Sequence, residues 1–282
     1  MNHPAEWLLL IGTFGYVGAL GLTLYRLTGK SEPLHGANLV LILIGWLIQS
    51  GGLWSLGIEA GSCPVRNPFE VLQFVSWSIV IIYLFTGQVF RLSLFGTGSA
   101  SLAAIIGFVA FLIPGGTHIG PYSHLGGDPL IEAHAALALF SYGIFGLLAV
   151  LSALYLLQNH SLKSKKGSGI FRFLPSIVEM DIVLMRLLIM ACAVYSVSIL
   201  IGSLYWFGHM DQVSIPKIIF TSALWIAYCV VLFLRATQRL FGTNLAWTCV
   251  ALMLGALFIL WPVEASRDHG FDQQTREVSP HP

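Results

Sequence analysis

Nine histidines are the residues of this 282-residue chain best suited to chemistry near neutral pH. Imidazole titrates in that range and ligates metals, haem iron among them. His134 opens an apolar run in Pro129-Leu-Ile-Glu-Ala-His134, and His269 follows another in Trp261-Pro-Val-Glu-Ala-Ser-Arg-Asp-His269. If those runs are membrane spans, the two imidazoles lie at one depth on one face, where a pair can clamp a single haem from opposite sides. His118 and His124 stand in a glycine-rich stretch, 115–127, at a spacing that is not a recognised ligand pattern. His209 falls in a short connection after Trp206, and His3 and His281 lie near the chain ends. Any one histidine at a helix mouth is ordinarily a solvated or interfacial residue. It is the clustering that points to a metal.

Other chemistries find little to use. The four cysteines, Cys63, Cys192, Cys229 and Cys249, form no C-x-x-C pair, and the last three sit in apolar runs as small buried hydrophobes. Serine-nucleophile, phosphate-loop and HExxH motifs are missing, so the chain is not expected to be an enzyme. No basic stripe suits nucleic acid. Ionisable residues inside apolar runs are nearly absent, which disfavours an ion-coupled transporter. Arg186 is the exception, placed to snorkel or to pair with Asp181. No histidine lies deep in a run, which disfavours a quinone-linked cytochrome.

The elements that must position these residues follow from composition. The chain is 56% hydrophobic and 10% charged, with mean hydropathy +0.80; soluble domains carry about a quarter charged residues. Apolar runs near 7–27, 36–57, 70–90, 99–114, 134–158, 180–206, 214–234 and 244–262 are long enough to cross a bilayer. The sequence therefore predicts an all-α, polytopic membrane bundle of about eight helices, with 1–282 as one domain. The first run lacks a basic leader and a small-residue cleavage site, so it reads as a retained span. Gly12, Gly15, Gly18 and Gly21 within it favour close helix packing.

Charge orients the bundle. One set of connections carries Arg26, Lys30, Arg91, Lys163, Lys165, Lys166, Arg172, Arg235 and Arg239. The other, with both termini, carries Arg66, Lys217, Arg267 and Arg276. Nine against four places the first set in the cytoplasm and both termini outside. Histidine runs the other way, with only His35 and His160 on the cytoplasmic side. Aromatic residues gather at the outer boundary: Trp54, Phe69, Tyr205, Trp206, Phe207 and Trp261. They suit an interfacial belt and equally a platform for a flat porphyrin.

Several segments together resemble the cytochrome c assembly proteins of the CcsA/CcmC type, including their shorter HemX-like members. Asn67-Pro-Phe-Glu70-Val-Leu-Gln-Phe-Val-Ser-Trp77 resembles that family's entry to a span. Glu132-Ala-His134, then Ser141-Tyr142-Gly143 and Leu154-Tyr155-Leu-Leu-Gln158, resembles its central histidine helix. Pro216-Lys217, Trp225-Ile-Ala-Tyr228, Leu234-Arg235 and Ala246-Trp247 extend the match, which covers about 67–262. The resemblance implies a multi-pass protein of the bacterial inner membrane. It implies a non-covalent, b-type haem between His134 and His269, with Trp206 and Tyr205 packed against it. It also implies assembly subunits and apocytochrome c as partners. The stretch Tyr205-Trp206-Phe-Gly-His-Met-Asp-Gln-Val-Ser-Ile215-Pro216-Lys217 departs from the family's tryptophan-rich loop, with Ile215 and Ile218 where acidic residues would stand. That departure implies weaker contacts to a haem edge. It leaves a HemX-like accessory role, acting through protein partners, as the alternative.

Overall fold

A computed structural model describes residues 3–28, 35–90, 93–113, 128–164, 176–206 and 215–257. Among these residues the chain is almost wholly helical, without strands. The helices are α1 (Pro4–Thr28), α2 (His35–Ala60), α3 (Pro68–Phe90), α4 (Ser93–Leu112), α5 (Pro129–Lys163), α6 (Ile177–Trp206), α7 (Ile215–Ala236) and α8 (Gly242–Leu257). The first seven are long and apolar enough to cross a membrane, and α8 is shorter within the described residues. Helices dominate because hydrocarbon offers backbone amides no partner, and a helix satisfies them internally.

Each predicted run contains a helix, with one informative displacement at an end. The fourth starts at Ser93, well before the predicted 99. Its first turns, Ser93-Leu-Phe-Gly-Thr-Gly-Ser99, are too small and polar to register as a span. They are used for packing instead. A methyl group on Gly96 would overlap the Tyr83 hydroxyl, one on Gly98 would meet Val150 at 2.8 Å, and the Thr97 and Thr23 hydroxyls lie 3.1 Å apart.

Contact between α1 and α2 runs along glycines. A Cβ on Gly12 would sit 2.8 Å from the Gly45 carbonyl oxygen, and one on Gly15 would sit 2.9 Å from the Gly45 Cα. Gly18 and Gly21, expected to take part, have nothing within 4 Å of that position. A three-residue spacing falls about 60° short of a full turn at each step, so Gly18 and Gly21 have rotated onto the exposed side of α1. Small residues matter here because lipid tails remove the hydrophobic drive between helices and leave close packing and hydrogen bonds to hold them.

Those hydrogen bonds form a buried ladder through α1 to α4. The Tyr16 hydroxyl donates to Gln49 Oε1 (2.6 Å), Gln49 Nε2 donates to Gln73 Oε1 (2.9 Å), and Gln73 Nε2 donates to the Gly107 carbonyl (3.0 Å). Ser76 donates to the Ala103 carbonyl (2.9 Å). Tyr16, Gln49, Gln73 and Ser76 are all fully buried.

The second half of the bundle joins through aromatic rings. Phe145 of α5 stacks on Tyr228 of α7 at 3.9 Å and meets Tyr195 of α6 edge-on at 5.6 Å. Gly143 lets α5 approach α3, since a Cβ there would lie 2.6 Å from the Ser78 Cβ. Near the far end, Asp181 of α6 pairs with Arg235 of α7, and Asn159 of α5 donates to Thr243 of α8 (3.1 Å). Arg186, expected to snorkel or to pair with Asp181, is exposed on α6.

Replacing Gln49 with Leu removes the middle of the amide ladder and strands the Tyr16 hydroxyl and the Gln73 side-chain oxygen. Each lost bond is expected to cost about 1 kcal/mol in a membrane setting. The unfolding midpoint in detergent should fall, and Gln49→Leu combined with Gln73→Leu should fall by less than the sum of the single variants. Unchanged thermal unfolding in Gln49→Leu would refute the ladder's contribution.

Candidate functional site

The site is built where α5 begins and α6 ends. Asp128 caps α5, its side chain accepting from the Leu130 amide (2.8 Å), and Pro129 occupies the first helical position, where a missing N–H costs nothing. The helix therefore starts five residues ahead of His134. That places His134 inside regular backbone with a fixed azimuth, not at a frayed mouth.

That azimuth faces α6. His134 Nδ1 lies 2.7 Å from the main-chain carbonyl oxygen of Ser198. The Ser198 hydroxyl donates to the His134 carbonyl (2.9 Å) and lies 3.2 Å from Nδ1. One turn on, a Cβ at Gly202 would come within 2.6 Å of Nδ1 and 2.8 Å of Cε1. One turn further, Trp206 meets the imidazole edge-on, ring centres 5.8 Å apart at 71°. Ser198, Gly202 and Trp206 repeat every four residues, so they form one stripe along α6. Tyr205 sits half-buried on the same last turn.

A second set of contacts ties the opposite side of α5 to the α2–α3 connection. Glu132 accepts from the Cys63 amide (3.1 Å). Beside it, Asn67 caps α3 by accepting from the Glu70 amide (2.8 Å). Glu70, 1% exposed, takes the Arg66 guanidinium (2.8 and 3.3 Å) and the Arg66 amide (2.9 Å). An interior carboxylate requires such company, because an unpaired charge there is strongly disfavoured. Burial pushes the Cys63 thiol up to about 11, helped by the negative charges of Glu132 and Glu70.

Of the residues singled out from the sequence, His134 and Trp206 are brought into contact. His269, His118, His124, His209, Phe207 and Trp261 lie outside the described residues. Phe69 belongs neither to a belt nor to a platform: it is buried and packs edge-on against Phe111 at 5.1 Å. Trp54 is 74% exposed, as an interfacial residue would be. Among the described residues no three histidine, cysteine or acidic side chains gather as a metal cage. Ser198 and Gly202 were not anticipated. Their signal was the four-residue spacing to Trp206.

Residues 65–264 match the family described as cytochrome C assembly protein. The chain belongs to that family. It is 32% identical to protein HemX of Brevibacillus brevis over 203 residues, 71% of this chain and 73% of that one. It is 25% identical to protein HemX of Bacillus subtilis (strain 168) over 236 residues, 78% of this chain and 82% of that one. A shorter stretch of 118 residues is 30% identical to the cytochrome c biogenesis protein CcsA of Cyanidium caldarium, covering 40% and 38% of the two chains. The family match begins in the loop that carries Arg66, just ahead of Glu70 in α3, and includes all of α5 and α6, so the histidine stripe lies inside it.

A thiol held near 11 is almost wholly protonated at neutral pH and so a poor nucleophile. Alkylation of Cys63 by iodoacetamide should rise about tenfold per pH unit between 7.5 and 10. Glu132→Gln removes one of the charges that raises it and should quicken labelling at fixed pH. Mass spectrometry of the tryptic peptide gives both rates, and fast, pH-independent labelling would contradict the assignment.

Proposed function

We propose that this protein handles haem during cytochrome c assembly, with His134 as an iron ligand at the end of the bundle where α5 begins. The observation that carries the reading is the seating of His134. Metal-ligating imidazoles characteristically engage a carbonyl or carboxylate through one ring nitrogen while the other meets the metal. His134 has the first of these contacts, from the Ser198 carbonyl at 2.7 Å. Trp206 beside it offers an aromatic surface of the kind a porphyrin packs against. These residues fit a non-covalent b-type haem. His269 is proposed as the opposing ligand and Tyr205 as a further contact.

Bound haem would supply the redox-active iron. The chain's own residues would ligate and orient it and keep it from water, making and breaking no bond themselves. The Lys/Arg bias supports placing the site on the outer face of a bacterial plasma membrane, with both termini outside. There it would work beside other assembly subunits and present haem to apocytochrome c.

The two HemX relatives, matched over most of their length, favour a second reading. In it the fold serves a partner protein as an accessory and delivers no haem. A pull-down that needs residues 159–176 but tolerates His134→Ala would select that reading.

The deciding measurement is an absorption spectrum of protein purified from haem-replete cells. A Soret band is expected in the wild type, lost or shifted in His134→Ala and in His269→Ala. Haem-free wild-type protein would overturn the proposal.

A further inference from the structure

We propose that Ser198 and Gly202 are positioning residues that fix the proton of His134 on Nδ1 and so make Nε2 the nitrogen that meets a metal. The inference rests on the haem-handling reading for its purpose, but its chemistry is independent of it. A main-chain carbonyl oxygen can only accept a hydrogen bond. The Ser198 carbonyl lies 2.7 Å from Nδ1, too close for two lone pairs to face each other. Nδ1 therefore carries a hydrogen and donates it. The Ser198 hydroxyl has a nearer acceptor in the His134 carbonyl, at 2.9 Å against 3.2 Å to Nδ1, so it braces the backbone of α5 and does not compete for the ring. In the neutral imidazole the lone pair then belongs to Nε2.

Gly202 supplies the orientation. The ring atoms nearest its missing side chain are Nδ1, Cε1 and Cγ, at 2.6, 2.8 and 3.0 Å. The imidazole thus rests on the bare backbone of α6, with its Nδ1 end over Gly202. A methyl group at 202 would lift the ring off α6, and with it the bond to the Ser198 carbonyl. Ser198 is itself wholly buried, so water does not take the carbonyl's place. In metal sites the partner of the non-ligating nitrogen sets ring orientation and ligand basicity, and its loss typically lowers metal affinity about 10- to 100-fold.

The test uses full-length, haem-free protein labelled with 15N-histidine in lipid nanodiscs, with His134→Gln identifying the signal. A one-bond N–H coupling at Nδ1 and an unprotonated Nε2 are expected in the wild type at pH 8. Ser198→Ala keeps the carbonyl and should keep that tautomer. Gly202→Ala should shift the ring toward a mixture of tautomers and, with added ferric protoporphyrin IX as probe, bind it about tenfold more weakly. A proton on Nε2 in the wild type overturns the proposal, as does loss of the Nδ1 proton in Ser198→Ala. Should Gly202→Ala not fold, those two spectra still decide it. Nδ1 protonation in protein that takes up no porphyrin leaves the positioning assignment standing and removes the haem-handling reading instead.

Discussion

Between two helices in hydrocarbon there is no water to expel, and the force that builds soluble cores is largely absent. Contact must come from backbones close enough for dispersion and from polar groups that find one another. Both devices recur through the bundle, beside the aromatic contacts that join α5 to α6 and α7. Gly12, Gly15 and Gly45 bring α1 onto α2, and Gly143 brings α5 onto α3. The Tyr16–Gln49–Gln73–Gly107 ladder then ties the first four helices by bonds that lipid cannot replace. The seating of His134 obeys the same rule, with a glycine below the ring and a carbonyl at its edge. What looks like a specialised site is the bundle's ordinary packing grammar applied to an imidazole.

This economy explains which parts were legible beforehand. Spans are visible because a bilayer demands about twenty apolar residues in a row, and each of the eight predicted runs does contain a helix. The start of α4 was missed because hydropathy scores Gly96, Thr97 and Gly98 as loop-like, whereas lipid-phase packing selects small residues for contact. The amide ladder was invisible for a related reason. Gln49 and Gln73 are single polar residues in long apolar windows, and nothing local says that they face each other.

His134 could be marked as a candidate ligand from its type and its place at the head of a run. Its partners could not, because Ser198 and Gly202 become a site only when the phase of α6 relative to α5 is known. Trp206 was reached from composition, as an aromatic residue near a boundary, and its contact with His134 gives that placement a geometric reason. Phe69 was grouped with it on the same ground and proved to be core. Boundary position alone does not distinguish an aromatic that faces a ligand from one that faces another helix.

The length of α5 carries a mechanical corollary. Its 35 residues make a rod of roughly 52 Å, well beyond the ~30 Å of a hydrocarbon core. His134 near one end rests on Gly202, and Asn159 near the other bonds Thr243. A regular helix turns as one body, about 100° for each residue of slip. Rotation that unseats the imidazole at one end also breaks the amide contact at the other. The seat of the histidine and the Asn159 contact therefore lie on one continuous helix, at opposite ends of the bundle.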